Sequence, residues 1–161
     1  MPKSSQVSTG GCLCGAVRYD LTAPPLFVHA CHCRDCQRHT GSAFVVNAMV
    51  LAKDLLVTKG ALAPWPAPAA KGNKHFIHRC TQCQGAVWSS YGGQATAMVY
   101  LRAGTLDAPE DLPPRAHIFT RTKQPWVALP KDVPAFKTWY DREKLWPPES
   151  LARRAAAVKR A

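Results

Sequence analysis

Long hydrophobic runs are absent from this chain of 161 residues. None of its apolar stretches approaches the roughly 18 consecutive apolar residues that a membrane-spanning helix needs. The first six residues carry one charge and no apolar segment follows them, so the sequence predicts no secretory signal. We therefore expect a soluble, cytoplasmic protein without a membrane partner, in a reducing compartment where stable disulfides are uncommon.

Acidic residues are scarce. Asp and Glu number 10 against 21 Lys and Arg, which gives a formal net charge of +11. Such an excess makes nucleic acid a partner to consider. The basic residues are spread from Lys3 to Arg160, however, and the basic–aromatic stripe typical of single-strand binders is missing. A basic solvated surface is therefore favoured over nucleic-acid binding, which stays an alternative.

Long regular elements are also lacking, because glycines and prolines interrupt the chain throughout. Short β-rich runs between these breaks predict an antiparallel, mainly β fold. The expected strands cover residues 17–21, 44–51, 55–58, 75–78, 86–90, 97–101 and 117–120.

Two further segments differ from this pattern. Pro64, Pro66 and Pro68 lack the backbone donors of a central strand, so residues 61–73 are predicted to form a loop. Towards the end, an amphipathic pattern predicts one helix over 135–146, stopped by two prolines. A second helix is expected over 149–161, capped at Ser150 or frayed.

Cysteine is absent outside three short clusters, which together hold all seven. An odd number cannot pair completely, and metal binding explains the close spacings better than disulfides do. In an extended segment residues i and i+2 face one side, whereas a C-x-x-C pair wraps a tight turn around an ion. Thiolate-rich tetrahedral sites select zinc, and an iron–sulfur cluster is the leading rival. The clusters are Cys12 and Cys14, then Cys31, Cys33 and Cys36, then Cys80 and Cys83.

Seven ligands divide most informatively into four and three. Four thiolates close a structural site, while three leave the open position that catalytic zinc keeps for water or substrate. Spacing alone does not decide which cysteines share an ion. A ribbon-like site of Cys33, Cys36, Cys80 and Cys83 would also be acceptable, and it would leave the other three cysteines together.

A family resemblance chooses between these groupings. The motifs at residues 11–19, 31–44 and 79–83, with 117–119 and 123–126 further on, resemble the glutathione-dependent formaldehyde-activating enzymes, a family that includes centromere protein V-like proteins. The resemblance implies a mainly β, Mss4-like (β-tent) fold of antiparallel sheets with a short helical C-terminal region. It also implies a zinc-binding domain over residues 1–136, followed by a basic helical or frayed tail over 137–161.

The same resemblance implies two zinc ions per chain. It places the structural ion on Cys12, Cys14, Cys80 and Cys83, and the catalytic ion on Cys31, Cys33 and Cys36. One departure is visible, because the family usually has glycine directly after the last cysteine, where this chain has Gln84.

The implied activity is that of a carbon–sulfur lyase, with glutathione as co-substrate. Such an enzyme joins formaldehyde and glutathione into S-hydroxymethylglutathione, or cleaves that adduct. Zinc held by three thiolates bears one net negative charge and is a weak Lewis acid unless positive groups lie near. Arg34 and Arg38, within the second motif, are candidates for that role or for binding a glutathione carboxylate.

Proton transfer could involve several residues near the second cysteine cluster. His39 and Asp35 rank above the other candidates, and His32 should point away from the metal if its segment is extended. The other candidates are His29 and His117.

The competing hypothesis is a zinc-stabilised binding module without catalysis, but a purely structural protein would need only the four-cysteine site.

Overall fold

The computed structural model describes residues 8–68, 74–92 and 97–159. In this part of the chain strands dominate and the α-helices lie between β3 and β4 and at the C-terminal end. The strands are β1 Ser8–Gly11, β2 Arg18–Leu21, β3 Phe27–Cys31, β4 Val45–Leu51, β5 Leu55–Lys59, β6 Leu62–Ala67, β7 His75–Cys80, β8 Ala86–Tyr91, β9 Met98–Arg102 and β10 His117–Ile118. The α-helices are α1 Arg34–Thr40, α2 Arg142–Leu145 and α3 Pro148–Val158.

The strands form two sheets. One has the order β1-β2-β5, and the other has the order β10-β3-β4-β9-β8-β7-β6. Strand β10 runs parallel to β3, whereas the other neighbouring strands of the described residues pair antiparallel. The prediction of a mainly β fold of antiparallel sheets with a short helical C-terminal region is therefore confirmed.

The larger sheet is buried on both faces around β3 and β4. On one face Val28 and Ala48 pack in a cluster with Tyr19 and Leu21 of the smaller sheet. On the other face, side chains of β3 and β4 pack against the C-terminal segment. Successive residues of a strand face opposite sides of the sheet, and both sides are covered at β3. All five residues of β3 are therefore buried, and the strand shows no polar alternation. Strand β3 was therefore not predicted from the sequence, and β1 and β6 were not predicted either.

All seven predicted strands are present. Their ends differ from the predicted ends by no more than one or two residues. Turn residues and alternation were thus sufficient to locate the half-buried strands.

The predicted loop over residues 61–73 is wrong for its first half. Residues Leu62–Ala67 form β6, which lies at the edge of the larger sheet and pairs with β7. Proline is tolerated at an edge because the missing donor can face away from the neighbouring strand. Residues 69–73 of that prediction lie outside the described residues.

The predicted helix over 135–146 is also wrong, apart from its last turn in α2. The backbone of this segment instead pairs with residues at and after β10. Phe136 N donates to His117 O at 2.8 Å, and Phe119 N donates to Thr138 O at 3.0 Å. Since these bonds join distant segments, a local helical pattern could not predict them.

The last predicted helix is present as α3. It begins at Pro148 after an N-cap at Pro147, and Ser150 lies inside it as a buried residue. The predicted cap at Ser150 is therefore wrong, because the two prolines start the helix earlier. Residues 160 and 161 lie outside the described residues.

Aromatic residues after residue 136 pack into the core of the larger sheet. Tyr140 and Trp146 are buried, and Trp146 stacks on Phe27 of β3 at 5.8 Å between ring centroids. Trp146 Nε1 donates a hydrogen bond of 3.0 Å to Tyr140 Oη. The division of the chain at residue 136 stays a prediction.

Within the described residues, no helix has the length and apolar character needed to cross a membrane.

Candidate metal centres and the adjoining cavity

The first candidate metal centre joins the first and last cysteine clusters. The sulfur atoms of Cys12, Cys14, Cys80 and Cys83 all lie within 4.8 Å of one another. Cys14 Sγ lies 3.5 Å from Cys12 Sγ and 3.9 Å from Cys80 Sγ. Four thiolates at the usual Zn–S distance of about 2.3 Å would lie about 3.8 Å apart in a tetrahedron. The donor set and its spacing therefore fit a zinc ion.

Two tight turns bring these sulfurs together. Cys12 and Cys14 lie in the turn between β1 and β2, where Val17 N donates to Cys12 Sγ at 3.3 Å. Cys80 ends β7, and Gln82 N lies 3.4 Å from its Sγ. The backbone N–H of Val17, which points at Cys12 Sγ, favours the thiolate form of that cysteine, which is the form that binds metal.

The turn after Cys83 has an unusual backbone. Gln84 has a φ of 59°, in the left-handed region that residues with a Cβ rarely adopt. Glycine adopts this region without strain, which gives a physical reason for the glycine that the family usually has here.

Replacing Gln84 with glycine should therefore stabilise the protein. We expect the free energy of unfolding to rise by about 0.5–1 kcal/mol, because relief of the left-handed strain exceeds the added entropy of the unfolded chain. Chemical denaturation of zinc-loaded protein measures this difference. Gln84→Ala is the matched control, since it removes the same amide but keeps the Cβ; equal stabilities of the two variants would contradict the prediction.

The second candidate metal centre lies at the start of α1. The sulfur atoms of Cys31, Cys33 and Cys36 lie within 4.8 Å of one another. Cys31 ends β3, Cys33 is the N-cap of α1, and Cys36 N donates to Cys33 Sγ at 3.4 Å. The donor set again suits zinc, with one tetrahedral position left over.

The two groups are those that the resemblance implied. The alternative grouping of Cys33 and Cys36 with Cys80 and Cys83 does not form in the described part of the chain. The fold places the end of β7 next to the first turn, so cysteine pairs whose partners the spacing left open lie together.

A cavity of about 650 Å³ opens next to the three-cysteine cluster, and all three cysteines line it. The four cysteines of the other cluster do not line it. Among the described residues, three arginines contribute to the wall, namely Arg34, Arg102 and Arg121, against one carboxylate, that of Asp35. The cavity therefore attracts anions. Of the two arginines named from the sequence, Arg34 lines the cavity and Arg38 does not.

Three of the described histidines line the cavity, and two of them contact each other. His39 and His75 lie edge to face with their ring centroids 5.8 Å apart. Burial lowers the pKa of both rings, and the positive charge of Arg102 adds to the effect. Both imidazoles are therefore neutral at neutral pH and able to accept a proton.

The other histidines named from the sequence differ in position. His29 lines the cavity, with Nδ1 3.3 Å from Tyr140 Oη, and burial lowers its pKa to about 3. His32 and His117 do not line the cavity. They pair with each other, with His32 Nε2 3.0 Å from His117 Nδ1.

Sequence reasoning missed several cavity residues. Arg102 ends β9, and its guanidinium donates to Asn47 Oδ1 and, at 2.7 Å, to Ser89 Oγ. Tyr91 and Tyr100 also line the cavity. The sequence signal for these residues was a polar residue within or at the end of an apolar run, as at Asn47 and Arg102. Such a residue is expected to be buried with a hydrogen-bond partner, because buried polar groups in strands need one.

Comparisons with known proteins identify a matching family, a curated relative and a similar solved structure. The model of the family described as glutathione-dependent formaldehyde-activating enzyme matches residues 7–122. A Halomonas elongata protein that carries the provisional name of such an enzyme is 28% identical over 128 residues, covering 74% of this chain and 79% of the relative. The crystal structure of a Rhodobacter sphaeroides protein is similar at 23% identity and a TM-score of 0.46, covering 64% of this chain and 93% of that one.

Proposed function

Because this chain belongs to the glutathione-dependent formaldehyde-activating enzyme family, we propose that it is a zinc-dependent carbon–sulfur lyase. Its substrates would be formaldehyde and glutathione, or the S-hydroxymethylglutathione that they form. The supporting observation is the three-cysteine cluster, which has no fourth such ligand in the described residues and which lines the cavity. An open coordination position beside a cavity suits a catalytic rather than a structural metal.

The proposal assigns the seven cysteines to two zinc ions. Cys12, Cys14, Cys80 and Cys83 would hold a structural ion, and the three cysteines of the second cluster would hold the catalytic one. Zinc bound there would lower the pKa of a substrate thiol and polarise a carbonyl oxygen.

Binding of the substrate falls to the walls of the cavity. A volume of about 650 Å³ suits a small-molecule ligand. Arg34 and Arg121 are exposed at the cavity and carry the charge that glutathione carboxylates would meet. Phe119 and Trp139 form an apolar part of the wall, with ring centroids 6.1 Å apart, that would shield the adduct from water.

The reaction needs a proton to move but consumes none overall. The thiol sulfur bonds to the carbonyl carbon, and the C=O electron pair moves to the oxygen. That oxygen takes up one proton, and the thiol releases one. His39 and His75 are neutral bases of the cavity wall and would carry this proton.

The competing proposal is a zinc-stabilised module that binds nucleic acid without catalysis. This proposal explains the net charge of +11, but it gives no role to the cavity that the three-cysteine cluster lines. Retention of the protein on DNA, falling steeply as salt is added, would support it. We expect weak retention.

The lyase proposal is tested by metal content and exchange rate together. Thiols add to formaldehyde without a catalyst, so the rate of exchange between glutathione and its adduct should be followed by NMR. We expect about two zinc ions per chain, as two closed or nearly closed thiolate sites require, and faster exchange than without protein. Two zinc ions per chain without faster exchange would overturn the lyase activity. One zinc ion per chain would overturn the assignment of a catalytic ion. Iron in place of zinc would overturn the identity of the metal.

A further inference from the structure

Arg102 is a buried cation without an acidic partner. Only 9% of its surface is exposed, and its two hydrogen-bonded partners, Asn47 and Ser89, are neutral. Within the described residues the ion pairs involve other basic side chains, and no carboxylate lies within ion-pair distance of this guanidinium. A buried charge is strongly unfavourable unless an opposite charge compensates for it.

The sheet places this cation on the face of the three-cysteine cluster. Cys31 pairs with Val45 of β4 on one side, and Arg102 pairs with Asn47 of β4 on the other. Residues 45 and 47 share a face, and directly paired residues of neighbouring strands share one too. Cys31 and Arg102 therefore face the same side, and both line the cavity.

The negative groups that act on Arg102 are two cysteines of the cluster and one tyrosine. Burial lowers the pKa of the guanidinium, and the leading opposing influence is negative charge on Cys36, followed by Tyr91 and Cys31. Asp35 lines the same cavity, but it is exposed to solvent. A guanidinium stays protonated in proteins, so its charge is permanent.

We propose that Arg102 is the built-in counter-charge of the three-cysteine centre. Three thiolates and a divalent cation carry one net negative charge, and a single guanidinium cancels it. This inference rests on the metal of the proposed function. Arg102 is a positioning residue rather than a catalytic one, because its Nε is sealed from solvent without a partner in the described residues and its other nitrogens are engaged.

The four-cysteine cluster has less need of such a partner. Cys14 is exposed and Cys12 and Cys83 are partly exposed, so water screens the charge of that centre. The loss of Arg102 should therefore weaken one centre and spare the other.

The test replaces Arg102 with methionine and measures zinc by competition with a chelator. At the effective dielectric of about 20 that suits protein sites, the loss of a nearby charge should weaken zinc binding at the three-cysteine centre about tenfold or more. The four-cysteine centre should keep its zinc. After cobalt substitution, the sulfur-to-cobalt charge-transfer band should report the same loss at one centre.

Two variants separate charge from shape. Arg102→Lys keeps the charge and should hold zinc within about threefold of the wild type, since the ammonium group serves as a point charge. Arg38→Met removes an exposed arginine from α1, the helix that contains Cys36, and should leave both zinc ions in place, because solvent screens that charge.

Two results would overturn the proposal. One is an Arg102→Met variant that holds zinc against the chelator as tightly as the wild type does. The other is an Arg102→Lys variant whose zinc affinity falls as much as that of Arg102→Met. If the methionine variant lost the four-cysteine zinc as well, it would be misfolded, and Arg102→Gln, which keeps a polar group for Asn47 and Ser89, would take its place in the same competition. Because zinc binding needs no turnover, a failed exchange assay would contradict the lyase activity alone.

Discussion

Replacing Cys80 with serine should unfold the protein under conditions in which the wild type is stable. Cys80 is fully buried at the end of β7 and lies in the four-sulfur group. That group joins segments 66 positions apart, from Cys14 to Cys80. Structural zinc contributes about 10–16 kcal/mol to the folding of small zinc domains, which matches the whole stability of about 5–15 kcal/mol of an ordinary domain.

The measurement is a thermal melt followed by near-ultraviolet circular dichroism, with zinc content determined on the same sample. We expect no cooperative transition in Cys80→Ser. The matched control is Cys36→Ser, the same exchange in the other cluster, which should melt cooperatively and keep one zinc. A wild-type melt of Cys80→Ser would show that the four-cysteine centre does not hold the fold together.

Cys36→Ser should in turn abolish the proposed lyase activity while the fold is kept. The substitution removes one of the three candidate ligands that line the cavity among the described residues. Loss of the catalytic metal would remove several kcal/mol of transition-state stabilisation, so the catalysed exchange rate should fall by about a thousandfold or to background.

The exchange assay by NMR measures this loss, with zinc content as the companion readout. Thr40→Ser, in the same helix, is a suitable control because it keeps the hydroxyl that donates to Cys36 O at 2.8 Å. Its activity should equal that of the wild type. Full activity of Cys36→Ser with one zinc ion would remove the three-cysteine centre from the mechanism.

Much of the two candidate metal centres could be predicted because the cysteine pairs are local in sequence. The spacing of Cys12 and Cys14, and of Cys80 and Cys83, identifies pairs that can share an ion. Which pairs meet depends on the distance in space between β1 and β7, and no local pattern carries that information. The family resemblance supplied it, and the fold brings the same four sulfurs together.

The missed residues were those whose role depends on neighbouring strands. Arg102 ends an apolar strand, and only the pairing of β9 with β4 brings it to the face of Cys31. The helix predicted over 135–146 failed for the same reason, since Phe136 and Thr138 bond to the chain at and after β10. Long-range backbone pairing outweighs local helix propensity in that segment.

The prolines of β6 give the open edge of the larger sheet a distinct character. Pro64 and Pro66 lie two residues apart in the strand, and Pro68 follows at the same interval. Alternate residues of an edge strand direct their backbone groups outward, and proline has no N–H to offer. Because β6 keeps its ladder with β7, the prolines occupy the outward positions, which present carbonyl acceptors without amide donors. A strand from another molecule cannot complete a ladder there, so the edge is protected against edge-to-edge aggregation.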